Sequence, residues 1–135
     1  MVLFKRKSEP AVMAVTTTGA YDCQVVGEAT FQDNLIRIFG RYVRNPESKP
    51  CNVLLVPEPT NQVDALAVRV DIDRRTIGYL SKEGARKFRR KFKLDARSEQ
   101  RFTCAGVVRG GWKRGWWFNR DIGLYGVWLD LPIKD

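Results

Sequence analysis

The 135-residue chain contains no histidine, and its three cysteines, Cys23, Cys51 and Cys104, are far apart and odd in number. Without histidine or a paired Cys-x-x-Cys, a zinc site would need an unusual ligand set, and histidine-dependent catalysis is excluded. Unclustered cysteines also argue against a disulfide framework and favour a reducing compartment. We therefore expect a protein that is not an enzyme and that uses no metal or cofactor.

Long apolar runs are missing as well. The opening stretch MVLFKRKSEPAVMAVTTTGA has three consecutive basic residues, but no apolar segment of signal or membrane length follows them. We expect a cytoplasmic protein with no membrane partner, in which residues 1–20 form a disordered basic tail. The rest of the chain is long enough for one domain with a core of its own.

Acidic residues are scarce: 15 Asp and Glu stand against 24 Lys and Arg, a net charge of +9. Most of the excess lies in residues 74–93, RRTIGYLSKEGARKFRRKFK, where nine residues are basic and one is acidic. A strongly basic balance says little about fold but favours polyanionic partners.

The same segment is typical of a short strand followed by a helix. Ser81 is a candidate N-cap, and an apolar stripe at Ala85, Phe88 and Phe92 predicts the buried face. The remaining helix surface is basic: Arg86, Lys87, Arg89, Arg90, Lys91 and Lys93. Like charges four residues apart repel each other by a few tenths of a kcal/mol. This surface is therefore either a solvated helix face or a binding surface for a polyanion.

Elsewhere, short alternating segments predict strands over 21–26, 51–56, 66–72, 75–80, 101–109 and 124–131. Residues 30–40, TFQDNLIRIFG, predict a second helix, with Thr30 and Asp33 as a capping box. Gly78 indicates a close backbone approach or a bulge, and DIDRR at 71–75 a hairpin turn. Together these features predict a mainly β protein, a small six-stranded barrel of the OB-like or SH3-like kind with two short α-helices.

A single carboxylate stands at the mouth of the third predicted strand, in PEPTNQVDALAVRV at 57–70. Asp64 is the only charge between Glu58 and Arg69. Asn61 and Asp64 can both hydrogen-bond the local backbone, so they either form a turn or contact a hydroxyl or base amino group of a ligand. A metal is not expected, because the loop offers no companion ligands.

All four tryptophans fall near the C-terminal end, in RGGWKRGWWFNRDIGLYGVWLDL at 109–131. Rings interleaved with cations are typical of single-strand binding, because bases stack on rings while cations contact phosphates. We expect at least one of Trp112, Trp116 and Trp117 to be exposed near the glycine-rich bend. Lys113, which lies between the first two of them in the sequence, is one of the expected cations. Trp128 is expected to fill the barrel core.

The order and spacing of several segments resemble the HIRAN domain. They are VVGEATFQDNL at 25–35, EPTNQVDALAVRV at 58–70, IGYLSKEGA at 77–85, VVRGG at 107–111 and YGVWLDL at 125–131. The chain looks most similar to free-standing bacterial members. The resemblance implies a HIRAN-like domain over residues 21–132, with a modified OB-like barrel that binds DNA. In the best-understood members it captures the 3′ end of a single strand.

The resemblance also implies roles for individual residues. In end-binding members an Asn and an Asp of the loop before the third strand contact the terminal nucleotide and its hydroxyl, and they correspond to Asn61 and Asp64. A lysine at the start of the second helix contacts the phosphate, and Lys82 matches it. Thr30 and Val63 depart from the pattern, since they stand where those members carry aromatic rings.

The sequence thus predicts a non-enzymatic nucleic-acid-binding module that favours single-stranded DNA, with RNA as the alternative ligand. The predicted contacts are Phe31, Asn61, Asp64, Tyr79, Lys82, Arg86, Arg89, Arg90, Trp112, Lys113, Trp116 and Trp117. The competing hypothesis is a protein-interaction module, because the same basic helix would dock on an acidic partner. Such a partner would be a larger helicase or nuclease in DNA repair, replication or another nucleic-acid process.

Overall fold

The computed structural model describes residues 11–116 and 119–133. Over these residues the chain is mainly β, with two α-helices and a curled antiparallel sheet that forms a half-barrel. The strands are β1 Met13–Ala14, β2 Cys23–Gln24, β3 Lys49–Pro57, β4 Val68–Ile72, β5 Arg75–Tyr79, β6 Phe102–Arg109, β7 Trp112–Trp116, β8 Asn119–Gly123 and β9 Gly126–Leu129. The helices are α1 Gln32–Phe39, which follows a 3₁₀ turn at Glu28–Phe31, and α2 Lys82–Lys91. Neither α-helix is long and apolar enough to span a membrane.

The main sheet has the strand order β2-β9-β6-β3-β4-β5, and β1 runs parallel to the start of β6. Its two edges meet where Val26, just beyond β2, and Tyr79, at the end of β5, exchange backbone hydrogen bonds of 2.8 and 2.9 Å. Gly78 permits this closure. A Cβ atom there would lie 2.4 Å from Val25 Cγ1 and 2.6 Å from the Val26 carbonyl oxygen, which confirms the predicted close approach.

The core lies between the concave face of the sheet and the helices. Alternate residues of β6 are buried, as the period of a strand requires, and Phe102 meets Phe88 of α2 with ring centroids 5.0 Å apart. Ala85 and Phe88 are buried and Phe92 packs against the core, so the predicted apolar stripe of α2 is confirmed.

The hairpin between β4 and β5 agrees with the sequence prediction. Asp73 and Arg74 both have positive φ, at 50° and 63°, as a two-residue turn between twisted strands demands. β5 then leads directly into α2, and the Leu80 N–H donates to the Val68 carbonyl at 3.0 Å. This connection places the start of α2 beside the beginning of β4.

Three parts of the fold differ from the sequence predictions. The Thr30–Asp33 capping box is wrong, because a 3₁₀ turn precedes α1 and the N-cap residue is Phe31, without a side-chain cap. Residues 11–20, expected to belong to a disordered tail, instead lie along the sheet, where Asp130 accepts hydrogen bonds from the Thr18 hydroxyl and from the backbone N–H groups of Thr18 and Gly19. β7 and β8 form a separate two-stranded sheet that the strand count missed.

Candidate functional site

The loop between β3 and β4 is held by its own polar side chains. Asn61 Oδ1 accepts from the backbone N–H groups of Val63 and Asp64 at 2.9 and 3.0 Å, while Asn61 Nδ2 donates to Glu58 Oε1 at 3.1 Å. Asp64 Oδ1 accepts from the Leu66 N–H at 3.0 Å. The turn-forming role predicted for Asn61 and Asp64 is therefore confirmed.

Asp64 keeps a second carboxylate oxygen that faces helix α2. Its Oδ2 atom lies 3.5 Å from Arg86 Nη1, a long contact, and the Asp64 side chain is 16% exposed. The hydrogen bond from the Leu66 N–H is the main reason that the pKa of Asp64 is lowered; burial opposes it, and the charges of Arg86 and Lys82 add to it. Asp64 is thus an ionised acceptor with one oxygen only weakly engaged.

A cavity of about 380 Å³ opens beside this carboxylate. Its walls are Val26, Asn61, Val63, Asp64, Ala67, Tyr79, Leu80, Lys82 and Ala85. Four of the predicted ligand contacts, separated by up to 21 positions in the sequence, therefore line one cavity: Asn61, Asp64, Tyr79 and Lys82. The closure of the sheet at Val26 and Tyr79, together with the start of α2, brings them together.

Tyr79 contributes an aromatic ring to the cavity lining, and Phe31 lies next to Tyr79. Their ring centroids lie 6.5 Å apart with the planes tilted by 47°. Burial is the main reason that the pKa of Tyr79 is raised, and the nearby charge of Glu58, to which its hydroxyl hydrogen-bonds, adds to the shift. Val63 also lines the cavity and is 89% exposed.

Glu58 and Arg69 support this site, and the sequence analysis missed both. Glu58 Oε2 pairs with Arg69 Nη1 at 3.0 Å, while its other oxygen accepts from Asn61. Arg69 also makes a two-bond contact with Asp71, 3.0 Å at both oxygens, which leaves Asp71 paired rather than available for a metal. The three-residue spacing of Glu58 and Asn61 and the outward position of Arg69 in β4 were the available signals. Across the described ranges, no group of three potential ligands is arranged to hold a metal ion.

Helix α2 begins as the sequence predicts. The Ser81 side chain accepts from the Gly84 N–H at 2.9 Å, which confirms the N-cap. Lys82 is the first helical residue, is exposed and lines the cavity. Arg86 is half-buried one turn later, and Arg90 is exposed.

Arg89 requires a correction, because it was expected on the basic surface and is instead only 4% exposed. Its Nε donates to the Leu66 carbonyl at 2.9 Å and its Nη1 to the Asp95 carbonyl at 3.1 Å. The physical reason is helical periodicity, since position 89 lies four residues after buried Ala85 and therefore on the same face. Arg89 braces two loops against α2.

The hairpin formed by β7 and β8, here called the tryptophan hairpin, exposes one tryptophan ring to solvent largely and another in part. Trp116 is 73% exposed, as expected for at least one of these residues, and Lys113 is exposed as well. Trp112 is half-buried between Gly123, where a Cβ atom would lie 2.1 Å from the indole, and the guanidinium of Arg114, 4.5 Å from the ring centroid. Trp117 lies outside the described residues.

Trp128 does not fill the core, contrary to expectation. It lies in β9 between the buried residues Val127 and Leu129 and therefore points to the opposite face of the sheet. There it is half-buried beneath Arg109, whose Cζ atom lies 5.1 Å from the ring centroid. Trp128 is a second ring in contact with a cation on the protein surface.

The three cysteines lie on β2, β3 and β6. Burial raises the pKa of Cys23 and of Cys51 to about 11, and burial together with the neighbouring thiols and Asp130 raises that of Cys104 to about 12. At neutral pH they are therefore thiols rather than the thiolates that attack substrates or bind metals.

Comparison with known proteins finds no match to this chain among protein-family models, curated proteins or solved structures. Function therefore has to be inferred from the chemistry of the cavity and of the surfaces around it.

Proposed function

We propose that the chain is a non-enzymatic nucleic-acid-binding module of the HIRAN type, with an OB-like barrel, that holds the 3′ end of a single DNA strand beside Asp64. The supporting observation is that Asn61, Asp64, Tyr79 and Lys82 line the same cavity. The sequence resemblance points to Asn61, Asp64 and Lys82 without information about their positions in space.

The cavity combines two opposite electrostatic preferences. Asp64, ionised and with one oxygen weakly engaged, accepts a hydrogen bond from a terminal hydroxyl and repels a phosphate. Lys82 and the N-terminus of α2, by contrast, favour a phosphate. A nucleotide inside a strand carries a phosphate where a terminal nucleotide carries its 3′ hydroxyl. Asp64 therefore favours the end of a strand over its interior.

Stacking supplies the third contribution. The rings of Phe31 and Tyr79 offer apolar surface to the terminal base, and exposed Trp116 offers a platform on the hairpin. Stacking of one base on an aromatic side chain contributes about 1–3 kcal/mol. Because every base has a flat face, these contacts add affinity without sequence preference.

A titration of labelled single-stranded DNA tests the proposal. Two oligonucleotides differ only in a free 3′ hydroxyl or a 3′ phosphate, and each is titrated at two salt concentrations. We expect tighter binding of the free end and a fall of log affinity with log salt of about 0.7 per phosphate contact. Absent or salt-insensitive binding would refute nucleic-acid binding, while equal affinity for both oligonucleotides would refute only the recognition of an end.

A pair of variants ties the result to the carboxylate. Asp64→Asn keeps an oxygen that can accept from the Leu66 N–H but removes the charge, so we expect the preference for the free end to disappear. Asp33→Asn removes an exposed carboxylate from α1 and should leave the preference unchanged. If both variants retain the preference, Asp64 does not read the end.

A second candidate function, docking on a protein, is favoured by the apolar side chains of the hairpin. Trp116, Ile122 and Leu124 are 73%, 47% and 50% exposed. Trp116 and Ile122 lie on opposite faces of the hairpin, so each face presents an exposed apolar side chain to a partner. Retention of a partner that single-stranded DNA fails to displace would favour this function.

A further inference from the structure

A second cavity lies at the C-terminal end of α2. It has a volume of about 340 Å³ and is lined by Leu66, Arg86, Arg89, Arg90, Lys93 and Leu94. Four of these six residues are cations, and none of them is acidic. The cavity thus concentrates positive charge between two leucine side chains, where water screens that charge less than it does on an open surface.

Arg89 gives this cavity a buried charge with an unused donor. Both of its hydrogen bonds run to backbone carbonyls, those of Leu66 and Asp95. Within residues 11–116 and 119–133, its buried Nη2 atom has no hydrogen-bond partner. A buried guanidinium nitrogen without an acceptor is unfavourable, and an anion would satisfy it. The exposed side chains of Arg90 and Lys93 can move to admit one.

The backbone at Lys93 has a conformation that is unusual for a lysine. The Leu94 N–H donates to the Arg89 carbonyl at 2.8 Å and the Lys93 N–H to that of Arg90 at 3.2 Å, the two bonds of a Schellman motif. Lys93 has a φ of 53° in this motif, where glycine is usual. The chain thus carries a cation in left-handed backbone on the wall of the cavity.

The two cavities are connected by one side-chain contact. Asp64 lines the first and Arg86 lines the second, and their side chains are joined by the 3.5 Å contact. A DNA strand whose 3′ end lies beside Asp64 would therefore reach the cations of the second cavity directly after this carboxylate.

We propose that the second cavity binds one phosphate of the same strand whose 3′-terminal nucleotide lies beside Asp64, at a linkage inside the strand. This proposal rests on the proposed function. The guanidinium groups of Arg86, Arg89 and Arg90 supply paired N–H donors for phosphate oxygens, and Lys93 adds a point charge. The site would fix the distance between the strand end and one particular phosphate.

The test uses oligonucleotides in which one phosphate at a time, counted from the 3′ end, is replaced by a neutral methylphosphonate. For the wild-type protein we expect one linkage whose neutralisation weakens binding about tenfold, the order of a charge-assisted hydrogen bond. In the double variant Arg90→Gln/Lys93→Gln, the same replacement should cost less, about threefold, because two of the four cations at the site are gone while Arg86 and Arg89 remain. The control Lys91→Gln/Arg97→Gln removes two exposed charges outside the cavity and should keep the tenfold loss.

A second measurement follows the Arg89 side-chain resonances of ¹⁵N-labelled protein during a titration with inorganic phosphate, with chloride as the control. If the wild-type protein binds DNA but no linkage depends on Arg90 and Lys93, the phosphate site is refuted and the proposed function stands. If DNA does not bind but phosphate shifts the Arg89 resonances, the site exists and takes a free phosphate. If neither ligand acts, both proposals are refuted.

Discussion

Replacing Lys93 with glycine should make the protein more stable. Lys93 occupies the left-handed region, with a φ of 53°, which costs a residue with a side chain about 1–2 kcal/mol. Glycine relieves this strain, although its greater freedom in the unfolded chain takes back about 0.4–1 kcal/mol. Removing one of four neighbouring cations adds a small further gain. We expect the free energy of unfolding to rise by about 1 kcal/mol and Tm by about 3–5 °C.

The assay is urea and thermal unfolding followed by circular dichroism, with Lys91→Gly as the matched control. Lys91 is the last residue of α2 and is exposed, so the same chemical change there lies in helical backbone. Glycine costs about 1 kcal/mol in a helix relative to good helix formers. The two variants should therefore move stability in opposite directions. Equal destabilisation by both would refute the left-handed conformation of Lys93.

The Lys93→Gly variant should bind single-stranded DNA more weakly than the wild-type protein, although it should be more stable. The ammonium group lines the cavity in which we propose that a phosphate binds, so its loss should weaken binding while the fold becomes more stable. A residue that serves only the fold does not separate the two quantities in this way. A variant that is more stable and binds equally well would show that Lys93 has no part in binding.

Three further predictions concern the cap, the buried acid and the exposed ring. Ser81→Ala removes the hydrogen bond to the Gly84 N–H and should lower the unfolding free energy in urea by about 1 kcal/mol, and an unchanged value would contradict the cap. Burial raises the pKa of Asp130, but hydrogen bonds from Thr18 and its neighbours outweigh burial and leave that pKa lowered. Its contribution to stability is therefore present above about pH 3.9 and lost as the pH falls through the lower folded-state pKa. When the free energy of unfolding is measured against pH, Asp130→Asn should lose less stability at acid pH than the wild-type protein. An equal loss in both proteins would contradict this role. Trp116→Ala should leave Tm unchanged but weaken binding to single-stranded DNA by about 1–3 kcal/mol in an anisotropy titration, where unchanged affinity would exclude stacking on this ring.

Local signals in the sequence predict much of the sheet and of α2. The cap at Ser81 and the turn at Asp73 and Arg74 both depend on residues within a few positions of each other. Strand alternation likewise reports which face of each strand is buried. These features are predictable because the interactions that fix them lie within one turn or one strand.

Features that depend on distant partners could not be predicted in this way. Residues 11–20 have the composition of a tail, yet the Asp130 carboxylate holds Thr18 from a position 112 residues away in the sequence. The start of α1 also could not be predicted, because Thr30 and Asp33 match a capping pattern that the 3₁₀ turn displaces. There the competing structure is itself local, because the Thr30 N–H donates to the Gly27 carbonyl at 3.1 Å within the 3₁₀ turn.

The candidate site shows the same division. Asn61 and Asp64 could be singled out from the sequence because turn chemistry marks them. The role of Glu58 depends instead on contacts to Arg69 and Tyr79, which the folding of β4 and β5 brings to it. Sequence patterns thus indicate the residues of the loop but not the ion pairs that hold the loop in place.

Charge along α2 is the clearest case, because the sequence presents one basic surface and the structure divides it. Lys87 lies 3.3 Å from Glu83 and Arg86 lies 3.5 Å from Asp64, whereas Arg89 is buried against carbonyl groups. A uniformly cationic surface would hold phosphates anywhere along a strand. We expect an ionised Asp64 between Lys82 and Arg86 to make one point unfavourable for phosphate while the cations on either side favour it. Net charge would then supply affinity for any polyanion, and this single acid would supply the preference for an end.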